Sequence, residues 1–80
     1  MQASIEISMY PLTKDYETPI LDFIKRMNNY ADLEIETNKL STQVFGEYEY
    51  IMQALTREMK TTFEQDNTVI MVMKVLNVSP

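Results

Sequence analysis

Leu33-Glu34-Ile35-Glu36-Thr37-Asn38-Lys39-Leu40-Ser41-Thr42-Gln43-Val44-Phe45-Gly46 lies in the middle of an 80-residue chain and decides its architecture. Leu33, Ile35 and Thr37 alternate with Glu34, Glu36 and Asn38, and beyond them Leu40, Thr42 and Val44 alternate with Ser41, Gln43 and Phe45. A period of two sends successive side chains to opposite faces, so both runs read as amphipathic strands, joined by a tight hairpin turn at Asn38-Lys39. Gly46, the only glycine, stops the second run and marks a backbone constraint at a strand-to-helix corner.

Working outward toward the N-terminus, Ala3 to Pro11 alternates strictly: Ile5, Ile7 and Met9 on one side, Ser4, Glu6, Ser8 and Tyr10 on the other. This too is a strand, ended by Pro11 and followed by a connection from Leu12 to Glu17. Thr18-Pro19 then opens a helix, Thr as cap and Pro at the first helical position. Ile20, Phe23, Ile24, Met27 and then Tyr30 or Ala31 form its apolar stripe, leaving Asp22, Lys25 and Arg26 in water, and Asn28-Asn29 loosens its end. Toward the C-terminus, Tyr48, Ile51, Met52, Leu55, Met59 and Phe63 recur at helical spacing in a second helix that ends near Asp66-Asn67. Tyr50 falls off that stripe and is expected to be exposed. A last strand, Thr68 to Leu76, is apolar on both faces except at Lys74.

The order strand, helix, strand, strand, helix, strand predicts an α+β fold of the ferredoxin-like βαββαβ kind, one domain over residues 1–80. Right-handed crossovers put strands one and three in the centre of a four-stranded antiparallel sheet with both helices on one face. The helices are expected to cover Ile5, Ile7, Met9, Leu40, Thr42 and Val44, with Val69, Met71, Met73 and Val75 on the same side. The bare face should present Ser4, Glu6, Ser8, Tyr10, Ser41, Gln43 and Phe45 beside Ile70, Val72, Lys74 and Leu76. An apolar patch left uncovered in so small a chain, with no disulfide staple, predicts self-association as a homo-oligomer.

Composition narrows the function. With no histidine and no cysteine, Ser-His and Cys-His catalysis, thiolate metal sites and disulfides are excluded, and no cofactor is expected. A net charge of −5 repels phosphate backbones, so nucleic acid is not expected as a partner. The longest apolar run, Val69 to Met73, is far short of the ~20 residues of a membrane span, and no basic-then-apolar leader opens the chain. A soluble, cytoplasmic, non-enzymatic protein is the expectation. The seven methionines sit mostly on apolar stripes and read as core filler. Glu34 and Glu36 read as a solvated edge that discourages strand addition. An acylphosphatase-like activity would want an arginine and an anion-binding loop after strand one, and Leu12 to Thr18 has neither arginine nor glycine.

On the bare face, Glu6 and Lys74 are placed to pair across strands one and four. If a second subunit covers them, Glu6 needs a partner, either Lys74 or the amino group of a ligand. Ser8, Tyr10, Ser41, Thr42 and Thr37 supply hydroxyls with no activating base, better suited to hydrogen-bonding a heterocycle than to attacking one, and Tyr10 or Phe45 offers a ring face. Glu47 either caps the second helix or receives a donor from a cationic ligand.

Two of these segments carry a resemblance. Ile5-Glu6-Ile7-Ser8-Met9-Tyr10-Pro11-Leu12 resembles the first-strand signature of the YkoF-type thiamine- and hydroxymethylpyrimidine-binding proteins, and Leu40-Ser41-Thr42-Gln43-Val44-Phe45-Gly46-Glu47-Tyr48 resembles their third-strand signature. The resemblance implies binding of thiamine or its hydroxymethylpyrimidine moiety without turnover, with ligand contacts from Ser8 and Tyr10 in the first segment and Ser41, Thr42 and Glu47 in the second. Glu6 joins them on the bottom-up reading above. YkoF resembles two such domains in one chain and this sequence has one, without internal repeat, so the site is built either within one subunit or between two. An oligomerisation or regulatory interaction domain without a thiamine ligand is the competing expectation.

Overall fold

The computed structural model describes residues 1–65 and 68–78. Six elements follow in the expected order: β1 (Gln2–Pro11), α1 (Glu17–Met27), β2 (Glu34–Thr37), β3 (Thr42–Glu47), α2 (Tyr48–Phe63) and β4 (Val69–Leu76). The strands form one antiparallel sheet in the order β2-β3-β1-β4. Its register sets Glu6 opposite Gln43 on one side and Lys74 on the other.

The core lies between the sheet and the helices. Ala3, Ile5 and Ile7 of β1 and Val44 of β3 are buried against Phe23 and Met27 of α1 and Ile51, Ala54 and Leu55 of α2. Each alternates with a less buried neighbour, as a period-two strand under helices requires.

Several sequence expectations need correction. The turn between β2 and β3 is longer than Asn38-Lys39: Asn38 N donates to Ser41 O at 3.1 Å, and Asn38 Oδ1 accepts from Leu40 N at 2.8 Å and Ser41 N at 3.0 Å. Asparagine favours such turns because its side chain replaces a backbone acceptor. Leu40 therefore belongs to the turn and is 86% exposed, instead of opening β3 under a helix. Helix α1 starts at Glu17, before Thr18, and Asp15 organises the corner by accepting from the Thr18 hydroxyl at 2.7 Å. The helix stops at Met27, yet Tyr30 still packs on the core while Ala31 is exposed.

In α2 the buried stripe is Ile51, Ala54, Leu55, Glu58 and Thr62, so Met59 packs at its margin and Phe63 is exposed. The helix ends at Phe63, and Asp66-Asn67 lie outside the described residues. Tyr50 is half-buried, its ring edge-on to Tyr30 at 6.2 Å between centroids. Val75 has the parity of the helix side but is exposed, because β4 packs on β1 more than under either helix. Gly46 does sit at a constrained corner: a Cβ there would lie 2.8 Å from Leu33 Cδ2 and 3.4 Å from Asp32 O.

Candidate functional site on the open sheet face

The face without helices centres on Glu6. Because β1 is flanked by β3 and β4, its carboxylate receives groups from both sides: Ser41 Oγ donates to Oε2 at 3.1 Å, and Lys74 Nζ lies 3.6 Å from Oε1. Lys74 remains largely in water, so the ion pair holds Glu6 loosely. A hollow of about 420 Å³ opens beside it, lined by Glu6, Gln43, Phe45, Lys74 and Leu76. Chemically this is a carboxylate acceptor, an amide, an ammonium and one aromatic wall.

The six residues expected at the site are only partly gathered. Glu6 and Ser41 touch, and Ser8 is the next residue of β1 on their face, opposite Val72. Tyr10 is exposed opposite Ile70, about 13 Å along β1 from Glu6 at ~3.3 Å per residue. The ring beside the hollow is that of Phe45. Thr42 is buried on the opposite side of the sheet, facing α1. Glu47 is the N-cap of α2: its Oε2 accepts from Tyr50 N at 3.0 Å, and Oε1 is 3.7 Å from the amino group of Met1. The backbone hydrogen bond from Tyr50, chiefly, holds the Glu47 carboxyl below its ordinary pKa. Register pairs Glu47 with Gln2, four positions from the Glu6–Gln43 pair, so it caps a helix and stands apart from the hollow.

Sequence reasoning missed a polar cluster between the helices. Arg26, expected in water, donates through Nη1 to Glu58 Oε1 at 2.6 Å and to Glu58 O at 3.0 Å, through Nη2 to Thr62 Oγ1 at 2.6 Å, and through Nε to Asp22 Oδ2 at 3.0 Å. Tyr30 OH donates to Glu58 Oε2 at 2.6 Å, and burial, with Glu58 beside it, raises the Tyr30 pKa above its usual 10.0. The signal was present in the places of Glu58 and Thr62, seven and eleven residues after Ile51 and thus on the buried stripe. Among the described residues no buried side-chain polar atom lacks a partner, so the cluster ties α1 to α2.

Among the described residues no group of three or more acidic side chains is arranged to hold a metal ion, and no helix is long and apolar enough to cross a membrane.

Fold and sequence together define the class. The chain belongs to the YKOF-related family, whose model matches residues 2–80. Among solved structures it is similar to a Thermotoga maritima protein whose assignment to thiamine biosynthesis or salvage is itself provisional, with TM-score 0.87, 18% identity, and 98% of this chain and 85% of that one covered. It is also similar to a Streptococcus pneumoniae protein, SP2199, with TM-score 0.87, 21% identity, and 100% and 89% coverage. A hypothetical protein from Methanocaldococcus jannascii gives TM-score 0.83, 22% identity, and 98% and 81% coverage. At such identities the likeness carries the fold. No curated protein matches the chain.

Proposed function

We propose that this chain is a non-catalytic, cytoplasmic binding protein for thiamine or its hydroxymethylpyrimidine moiety, working as a homo-oligomer. The observation that carries the reading is Glu6: a carboxylate held by Ser41 and loosely by Lys74, at the edge of a hollow of about 420 Å³ walled by Phe45. An aminopyrimidine offers an exocyclic amine that donates and ring nitrogens that accept. Glu6 would take the amine, and Ser41, Ser8 and the Gln43 amide supply the remaining partners. Family membership supports the same ligand class, as does the Thermotoga relative. Turnover finds no support in a chain without histidine or cysteine, whose site hydroxyls lack an activating base.

The apolar row along the open face of β4 supports self-association. Ile70, Val72 and Leu76 are each about half exposed on β4, in line along the same face. A second subunit over them would bury this row and dry the hollow, strengthening every hydrogen bond within it. The same row favours a second reading, an interaction domain in which the covered face holds no ligand.

Calorimetric titration with thiamine and with hydroxymethylpyrimidine, with oligomer size followed by sedimentation, separates the two. The binding reading expects saturable heat, and Glu6→Gln and Ser41→Ala each weaken affinity by ~1 to 3 kcal/mol, the first by exchanging a charged acceptor for a neutral one and the second by removing a hydroxyl partner. Exposed Glu34→Gln changes nothing. Absence of binding by either compound at millimolar concentration in a chain that still self-associates leaves the interaction domain.

A further inference from the structure

Methionine is unevenly distributed over the sheet. β1 holds Met9, β4 holds Met71 and Met73, and the antiparallel register sets Met9 directly opposite Met71, with Met73 on the adjoining diagonal. Residues opposed across two strands share a face, so all three lie on the helix side, against the margin of the core and away from Glu6 and Lys74. Opposed Cβ atoms stand ~4.5 to 5.5 Å apart, and diagonal neighbours stay within reach of long side chains. Three rotatable bonds in each methionine let the thioether sulfurs converge on one point.

Filling the core does not account for these three. Met27 does that, fully buried in α1, whereas Met9, Met71 and Met73 are only half-buried, where β4 runs out from under the helices and neighbouring Val75 is 54% exposed. A half-buried strand position favours a β-branched side chain, and the rest of this face complies with Ile5, Ile7, Val69 and Val75. Thioethers replace branched hydrocarbon only at the three positions that the register makes neighbours. Those surrounding side chains bring no oxygen or nitrogen donor. Hard cations such as Ca²⁺ and Mg²⁺ require oxygen ligands, whereas thioether sulfur selects a soft ion such as Cu(I). A net charge of −5 draws cations toward the chain.

We propose that Met9, Met71 and Met73 form a binding site for a single soft monovalent cation of the copper(I) class. The ion lies on the helix side of the β1–β4 pair, held by three neutral sulfurs, with the sheet between it and the open face. Binding there is independent of thiamine binding at Glu6, and it fastens the edge strand β4 to β1.

The test is a titration of the full chain with Ag(I), a soft monovalent probe, in chloride-free buffer, followed by NMR of the methionine ε-methyl groups. The Met9, Met71 and Met73 signals should shift together and saturate at one equivalent, while those of Met27 and Met52 stay in place. Zn²⁺ and Ca²⁺ should move none of them. Met71→Leu and Met73→Leu, which keep the apolar volume and remove one sulfur each, should each weaken binding about tenfold or more, with circular dichroism confirming the fold, and Met52→Leu should bind like the parent. Melting temperature should rise with Ag(I) in the parent and not in the Met71→Leu/Met73→Leu double variant. The parent titration decides by itself if a variant fails to fold. If one equivalent of Ag(I) leaves the three signals unmoved, if the shifts spread over all the methionines alike, or if the double variant folds and binds like the parent, the three methionines are packing alone and the proposal is overturned.

Discussion

Two charged contacts of similar composition sit on opposite sides of this small sheet. Arg26–Glu58 lies between the helices at 2.6 Å, with side chains 19% and 11% exposed, whereas Lys74–Glu6 lies on the open face at 3.6 Å, with 81% and 36%. The first is fully hydrogen-bonded through Thr62, Tyr30 and Asp22, so removing one partner strands a charge away from water. The second gives up little when broken, since water replaces either partner. A tight buried pair fastens the scaffold; a loose exposed one leaves its carboxylate available.

The largest expected effect is therefore on the buried side. Arg26→Ala should destabilise the fold by about 3 kcal/mol or more, read as a lower urea midpoint, because the Glu58 carboxylate loses its cation and keeps only the Tyr30 hydroxyl. A loss below ~1 kcal/mol would erase the contrast between the two contacts. Gly46→Val comes next, at ~1 to 3 kcal/mol, since its side chain would drive into Leu33 and the Asp32 carbonyl.

The pH dependence sharpens the comparison at both limbs. Tyr30 has its pKa raised above 10.0 by burial and by Glu58, so its contribution is complete below the unfolded value and is lost as pH rises through the folded one. Melting temperature should fall above about pH 10, and Tyr30→Phe should flatten that limb. Glu47, its pKa lowered from 4.5 by the Tyr50 amide, works in the opposite sense: its contribution is present above the unfolded value and disappears as pH falls through the folded one. Glu47→Gln should narrow its gap to the parent as the solution is acidified below about pH 4. The smallest effect is on the open face, where Lys74→Ala should change unfolding free energy by less than ~0.5 kcal/mol.

Strand faces were legible in the sequence because a period of two leaves no freedom: once Ile5 and Ile7 face the helices, Glu6 must face away, and antiparallel pairing brings Lys74 beside it. The Ser41–Glu6 contact was less so, since it depends on where the hairpin turns, and two backbone amides captured by Asn38 move the start of β3 from Leu40 to Thr42. Arg26 was misread because a long cationic side chain looks the same in sequence whether it meets water or a carboxylate on another helix. Only the packing of α1 on α2 distinguishes them. Thr42 and Glu47 belong to one signature segment yet part company on grounds the sequence already offered: alternation sends the first under a helix, and the start of α2 claims the second as its cap.

The Asn38 turn also acts as a zero mark on a ruler. By fixing where β3 begins, it assigns every later residue of that strand an address, and consecutive residues receive opposite ones: Ser41 donates to Glu6 on the open side, and Thr42 is buried beneath the helices. A slip by a single position would exchange the two, burying a carboxylate's partner and exposing Val44. The amide side chain of one residue thereby keeps two chemically different surfaces of an 80-residue chain distinct.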